Sequence, residues 1–316
     1  MFIPPHKKQE YNSPTKLRGD YMKQVRKAII TAAGYGTRFL PATKNIPKEM
    51  LPLIDVPIIH EIVKECIDAG IDQIIIVTRY GNNAVEDYFD NHKELEDYLH
   101  GEKKFERYER FLEVFDRADI AYVRQHKSMP YGNGSPILAA KPYISEGESF
   151  AVLWGDDVVL AKESAIGQIK EKYLELSSTD AQLGGVIGVE EVPLEEVKRY
   201  GVVKFRDEVQ KIIELLVEKP EPSVAPSRLA SYGRYVLSYD IFDHLSPVKT
   251  GKDGELWLAD AIHELAQDKN IYTHEVDGMW MTTGDPLRYM QTVFAYAMQR
   301  EDLREELLAF VDKFKK

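Results

Sequence analysis

The residues best suited to chemistry begin where a short apolar run, Lys27 to Ala32, gives way to the loop Ala32-Ala33-Gly34-Tyr35-Gly36-Thr37-Arg38. Glycines after a buried strand let the backbone approach a phosphate closely and aim its N–H groups at it. The loop is not a dinucleotide fingerprint, because Phe39 takes the third glycine place of G-x-G-x-x-G. Nor is it a Walker loop, since no Gly-Lys-Ser/Thr follows. Glycines alone could simply make a turn. What favours a triphosphate is that three cations, Arg38, Lys44 and Lys48, fall within eleven residues. Lys48 stands in the stiff segment Pro47-Lys48-Glu49-Met50-Leu51-Pro52, where an ammonium is a point charge able to meet an α-phosphate rather than part of a helix face.

A second group of candidates lies at Asp156 and Asp157, where the apolar run Phe150 to Trp154 stops at Gly155. Ligands of open α/β sheets bind beyond the carboxyl ends of strands. Magnesium takes one or two carboxylates together with substrate phosphates. The plainer alternative is a turn or helix cap. Glu218-Lys219-Pro220 follows another apolar run and sets a carboxylate for sugar hydroxyls beside a cation for a phosphate. Tyr200-Gly201-Val202-Val203 opens a strand on a glycine, which permits close approach of a ligand. No H-E-x-x-H spacing occurs among the eight histidines, and no G-x-S-x-G elbow is present, so zinc-protease and α/β-hydrolase chemistry are disfavoured. Trp154, Trp257 and Trp280 read as packing residues.

The elements that must position these groups follow from periodicity. Val56 to Ala69 has helical spacing, with Gly70 as C-cap. Ile74 to Val77 is a continuous β-branched run, as expected of a strand buried on both faces. A long charged helical region runs from Asn83 to about Phe115 with an interruption at Gly101, its part from Glu94 to Arg117 reading as a solvated or subunit-facing surface. Ile120 to Arg124 is strand-like, and Met129 to Gly134 is rich in turn residues. Strand and helix recurring in this way predict a parallel, doubly wound sheet. From about Gln182 the texture changes to short strands at Leu183–Val189, Gly201–Phe205 and Ile212–Val217. An extended segment follows at Pro220, Pro222 and Pro226, then helices at Leu256–Leu265 and Pro286–Arg300. One α/β domain over 22–300 is expected, with a nucleotide-binding half at 22–160 and a sugar-phosphate-binding, β-containing half at 161–300. Residues 1–21 read as a flexible extension and 301–316 as a C-terminal helix.

A net charge of −11 repels nucleic-acid phosphates, so an anionic substrate must meet locally concentrated cations. The single cysteine, Cys66, excludes an intramolecular disulfide and any multi-cysteine zinc site; it reads as a reduced core thiol. With no apolar run of membrane-spanning length and no secretory signal pattern at the start, the sequence reads as a soluble, cytoplasmic protein.

Taken in order from about Val25 to Arg300, these motifs, with Gln125 and with Gly254-Glu255-Leu256 plus Asp260, resemble the bacterial and archaeal UTP–glucose-1-phosphate uridylyltransferases of the nucleotidyltransferase superfamily. That resemblance implies a Rossmann-like, doubly wound mixed sheet with an attached sugar-binding portion, Mg²⁺ as cofactor, UTP and glucose 1-phosphate as substrates, and a homo-oligomer. It implies that Ala32, Ala33 and Gly34 line the nucleotide with Glu49 nearby, that Arg38 binds the departing pyrophosphate, and that Lys48 meets the α-phosphate. Gln125 would read the base edge beside Gly134, Asp156 would bind Mg²⁺, and Gly201, Glu218 and Lys219 would hold the sugar phosphate.

Two departures stand out. Many relatives carry an aspartate before a Cys-Gly or Thr-Gly pair near the end as a second metal ligand, whereas here Thr282 occupies that place in Trp280-Met281-Thr282-Thr283-Gly284-Asp285-Pro286. Asp157, Asp285, or water with substrate phosphates would then complete the shell. The base-side loop Tyr131-Gly132-Asn133-Gly134-Ser135-Pro136 also lacks the usual Gly-His-Ala. The alternatives are therefore a thymidylyltransferase or other sugar-1-phosphate nucleotidyltransferase and, from another class, an inactive sugar-nucleotide-binding regulatory protein, which Thr282 motivates.

Overall fold

A computed structural model describes residues 24–101, 108, 117–246 and 254–314. The expected extension at 1–21, part of the charged stretch before Arg117, and the last two residues lie outside the described residues.

The chain opens with β1 (Lys27–Thr31), the short strands β2 (Pro52–Leu53) and β3 (Val56–Pro57), helix α1 (Ile58–Asp68) and β4 (Gln73–Thr78). Helices α2 (Asn83–Tyr88) and α3 (Lys93–Gly101) lead to β5 (Asp119–Arg124), α4 (Gly134–Ala140), β6 (Ser149–Trp154) and β7 (Asp157–Leu160). Next come α5 (Ala165–Ser177), β8 (Leu183–Glu191), β9 (Gly201–Asp207), β10 (Ile212–Glu218) and β11 (Leu229–Ser238). The remainder is α6 (Ile241–His244), α7 (Leu258–Asp268), β12 (Asn270–Glu275), β13 (Met279–Thr282), α8 (Pro286–Gln299) and α9 (Glu301–Asp312).

Nine strands form one mixed sheet in the order β5-β4-β1-β6-β11-β8-β12-β10-β9. The β5 to β6 side is parallel, with Ile29 opposite Ile75 and Val152. Side chains alternate across this side. Ile29, Ile75 and Val152 enter one core with α4 and α7, while Ala28, Ile30, Ile74, Ile76 and Leu153 enter the other with α1 and α5. Both faces of β1, β4 and β6 are thus apolar, which is why these three strands show no polar alternation, whereas the edge strand β5 is half-exposed. At β6–β11 the sheet turns antiparallel, and the start of β11 also pairs with β9, so the second half curls back on itself. The expected Rossmann-like mixed sheet with an attached β portion is present.

Several local expectations need correction. Val56 and Pro57 belong to a two-stranded ribbon with β2, and the helix starts only at Ile58. Gly70, at φ +68°, does close that helix, and Cys66 is buried in its apolar face. The helical region from Asn83 also breaks well before the expected interruption at Gly101, at Asp90 and Asn91, where the Asp90 carboxylate accepts the Asn91 N–H at 2.8 Å. Strands β7, β11, β12 and β13 and helix α5 have no counterpart in the sequence reading. The ten-residue β11 was hidden by Gly233 and Arg234 at its centre. Gly233 has φ +83°, and a Cβ there would stand 2.0 Å from the Trp154 ring. The register of β11 against β8 shifts at the same place. Arg234 is fully buried and makes a two-pronged pair with Glu65 of α1, Nε to Oε1 at 2.9 Å and Nη2 to Oε2 at 2.7 Å.

Candidate active site

The carboxyl ends of β1, β4, β5 and β6 open onto a cleft of about 1270 Å³, walled on its far side by β9, β10 and the loops before α7 and α8. Of the sequence candidates, Ala33, Gly34, Arg38, Lys48, Glu49, Gln125, Asp156, Gly201, Glu218 and Lys219 all line it, as do Asp157, Thr282 and Asp285. Residues about 185 positions apart thus share one space because β1 and β6 are neighbours and β6 hands over to β11 and β9.

The floor of the cleft is electrostatically unusual. Lys48 Nζ donates to Asp156 Oδ2 at 2.5 Å and lies 4.0 Å from Glu49 Oε1. Burial would lower the Lys48 pKa, but Asp156 and Glu49 outweigh it and hold the ammonium protonated well above its ordinary range. Glu49 is 1% exposed and neither carboxylate oxygen has a hydrogen-bond partner among the described residues. Burial pushes its pKa up to about 7. Asp157 is also raised to about 7, by burial and then by Asp156, although the Thr282 hydroxyl and Arg234 act in the opposite direction. Three carboxylates therefore crowd one ammonium, with the Arg79 and Arg234 guanidiniums as more distant counter-charges to Glu49 and Asp157. The arrangement is short of positive charge.

Thr282 and Asp157 meet because β13 pairs with β7 and puts them directly opposite. The next residue, Thr283, fixes Asp156 by its backbone: its N–H and hydroxyl both donate to the Asp156 carbonyl, at 2.8 and 2.7 Å. Asp285 is engaged elsewhere. It caps α8 through the Arg288 N–H at 3.1 Å and accepts from Arg199 at 2.7 Å and from the Arg288 side chain at 3.0 Å. Burial alone would raise its pKa, yet these donors hold it down at about 2. A carboxylate so occupied has little left to offer a metal. Among the described residues no three His, Cys, Asp or Glu side chains converge as a protein-only metal cage. Asp156 and Asp157, on the charge-poor floor, do fit an ion that takes its remaining ligands from substrate phosphates.

Across the cleft, Lys219, at φ +46°, lies 3.3 Å from Glu218 Oε1 and 4.0 Å over the Trp257 ring. Burial raises the Glu218 pKa, offset in part by Lys219. A Cβ on Gly201 would touch Leu216 and Glu218 at 3.3 to 3.4 Å, so the glycine keeps that wall open.

Some candidates fall outside the cleft wall. Ala32 is buried beneath the loop, where its carbonyl accepts from Asn82 Nδ2 at 2.9 Å. Gly134 starts α4 and donates to the Leu256 carbonyl at 2.9 Å; a Cβ there would press on Leu245 and Leu256. Its role is to let two loops meet. Lys44 is exposed and off the wall. Trp154 and Trp257, read as packing residues, also line the cleft, whereas Trp280 packs between Tyr200 and Tyr232. The sequence reading missed Arg79, Lys198, Arg199 and Arg288. Arg79 had a signal, since it directly follows a strand. The other three belong to segments with no strand pattern to mark them.

Comparison with known proteins fits this geometry. The nucleotidyl transferase family model matches residues 27–299. A UTP–glucose-1-phosphate uridylyltransferase of Bacillus subtilis (strain 168) is 41% identical over 293 residues, 92% of this chain and 97% of that one. The structure of a UTP-bound UGPase from Acinetobacter baumannii superposes with a TM-score of 0.81 at 33% identity, covering 92% of this chain and all of the other. A UDP-glucose pyrophosphorylase complexed with UDP-glucose gives 0.75 at 34% identity, covering 88% of this chain and 100% of that one.

Proposed function

The chain belongs to the nucleotidyl transferase family, and on that premise we propose that it transfers the uridylyl group of UTP to glucose 1-phosphate. The observation that carries this reading is the shared cleft: a glycine loop with Arg38 and the Lys48–Asp156 pair on one wall, and Gly201, Glu218 and Lys219 on the other. The similarity to proteins bound to UTP and to UDP-glucose supports the substrate pair.

In the proposed reaction a phosphate oxygen of glucose 1-phosphate attacks the α-phosphorus of UTP in line. The bond to the bridging oxygen of the β-phosphate breaks, giving UDP-glucose and pyrophosphate. The sugar phosphate is already ionised near neutral pH, so no protein nucleophile or base is required. Alignment and charge neutralisation supply the rate. Lys48 neutralises the α-phosphate and Arg38 the departing pyrophosphate. Ala33 and Gly34, with Ala32 beneath them and Glu49 nearby, form the nucleotide wall. Gln125 meets the base edge, in the loop that Gly134 closes. Gly201, Glu218 and Lys219 hold glucose 1-phosphate, with Lys219 at its phosphate. Asp156, with Asp157 in place of the usual later aspartate, would hold Mg²⁺, which when bound supplies further charge neutralisation of the triphosphate. Asp285 is better assigned to positioning Arg199 and Arg288.

The proposed halves, 22–160 for the nucleotide and 161–300 for the sugar phosphate, would then meet where β6 pairs with β11. A cytoplasmic homo-oligomer belongs to the same reading. The oligomer is supported by α9, which buries none of its residues and leaves Leu308 and Phe310 exposed. Among the described residues no helix is long and apolar enough to cross a membrane.

The test is pyrophosphate release with Mg²⁺ and glucose 1-phosphate, supplying UTP, dTTP, CTP, ATP and GTP in turn. Release confined mainly to UTP is expected. Preference for dTTP would move the protein to thymidylyl transfer, and no release from folded protein that binds UDP-glucose would make it a sugar-nucleotide-binding regulator.

A further inference from the structure

Arg79 has no part in the reading above, yet its surroundings are those of an anion site. It follows β4 directly, between the glycine loop after β1 and Gln125 after β5, and lines the cleft. Its Nε donates to the Gly34 carbonyl at 3.3 Å, and its guanidinium lies 4.5 Å from the centre of the Tyr35 ring. Among the described residues it forms no ion pair, whereas Arg199, Arg234 and Arg288 each hold a carboxylate. A guanidinium stacked on a ring and tethered by one N–H is pre-organised, with its remaining donors available along the edge.

Gly34 is consequently flanked by two cations. A Cβ on that glycine would stand 3.4 Å from Lys48 Nζ, while Arg79 grips its carbonyl. Lys48 is already matched to Asp156, so its charge is partly spent within the protein. Arg79 forms no such pair and only eases the buried Glu49 carboxyl from a distance, and the anionic part of a nucleotide bound at this loop is its phosphate chain. We propose that Arg79 is a nucleotide-binding residue that donates to phosphate oxygens of the bound triphosphate, held ready by Tyr35 and the Gly34 carbonyl. This deepens the uridylyl-transfer reading and rests on it only in requiring a triphosphate at the Gly34 loop.

The experiment measures equilibrium binding of UTP and of uridine to the full chain in Mg²⁺, comparing wild type with Arg79→Gln, Arg79→Lys and Tyr35→Ala. Arg79→Gln is expected to weaken UTP about tenfold or more, as loss of a charge-assisted contact does, with uridine affinity held within about twofold. Arg79→Lys should fall between, because it keeps the charge and loses the planar fork. Tyr35→Ala should weaken UTP in the same sense but less. Equal loss of UTP and uridine would mean that Arg79 only shapes the loop or meets the base, and would overturn the proposal. Unchanged UTP affinity would overturn it as well. Should wild type bind a different triphosphate instead of UTP, the uridylyl reading fails, and the same variants measured with that triphosphate and its nucleoside still decide the role of Arg79.

Discussion

Two carboxylates only sixteen positions apart, the buried Glu49 and the nearly buried Glu65, are treated in opposite ways by the fold. Glu65 receives both prongs of the Arg234 guanidinium and also the Ile166 N–H at 2.9 Å, so its two oxygens are fully engaged beneath the sheet. Arg234 in turn reaches the Asp157 carbonyl at 2.8 Å. Glu49, at the cleft floor, has no hydrogen-bond partner for either oxygen among the described residues and shares the Lys48 ammonium with Asp156. The first arrangement is closed and neutral, and it ties α1 to β11. The second is open toward the cleft and short of positive charge. A cluster of that kind costs stability in the free protein and gains it back when cations and phosphates enter, which is how a binding site differs from a structural pair.

Breaking the closed pair should have the largest effect on stability. Glu65→Ala leaves a fully buried guanidinium without its counter-charge and should cost about 3–5 kcal/mol, read from denaturant unfolding. Replacing Glu65 and Arg234 together by Leu and Met should recover much of that loss, because the buried charge goes with its partner.

The open cluster should behave in the reverse sense. The folded pKa of Glu49 is raised to about 7, above its unfolded value, so the protonated carboxyl is favoured by folding. Stability from this group is fully present below about pH 4.5 and is lost as pH rises through 7. Across that window the metal-free wild type should lose about 3 kcal/mol relative to Glu49→Gln, a variant that cannot ionise there. Unfolding curves of both proteins at pH 4.5 and pH 8 would reveal the difference. A parallel pH dependence in the two would contradict the orphaned carboxylate.

Asp285 gives the smallest expected effect, since its guanidinium partners are partly exposed. Asp285→Ala removes a helix cap and an ion-pair partner and should cost about 1–2 kcal/mol. In metal binding followed by Mn²⁺ titration in the presence of nucleotide, the same variant should match wild type, whereas Asp156→Ala should bind far more weakly. Loss of Mn²⁺ affinity in Asp285→Ala would return that residue to the metal shell.

Legibility in the sequence followed the same division. Strands buried on both faces, such as Ile74 to Val77, declared themselves by continuous apolar residues, and Gly34 and Asp156 lie just past the ends of β1 and β6 as expected. Gln125, past the half-exposed edge strand β5, was legible only through the family resemblance. What escaped was whatever depends on distant contacts. Strand β11 is interrupted by a glycine whose missing Cβ is explained by the Trp154 ring, and by an arginine whose burial rests on Glu65 and the Asp157 carbonyl. Thr282 could be seen to replace an aspartate, but its placement opposite Asp157 required the pairing of β13 with β7. Periodicity finds surfaces that face a core; it has no means of matching one buried charge to another across the chain.

The central claim is that the Lys48 cluster serves the reaction and the Glu65 pair serves the fold. It is tested most directly by measuring turnover and unfolding free energy together for Lys48→Ala and Glu65→Ala. Lys48→Ala should lower kcat by about 10²–10³-fold, the loss expected when one preorganised charge is removed from a reaction centre. It should cost clearly less stability than Glu65→Ala, because Asp156 is part-exposed and Glu49 and Asp157, raised to about 7, can take up protons once the ammonium is gone. Glu65→Ala should show the reverse, with stability lost and turnover of the folded fraction largely kept. Near-normal turnover in Lys48→Ala, or a collapse of its stability to match Glu65→Ala, would contradict the account.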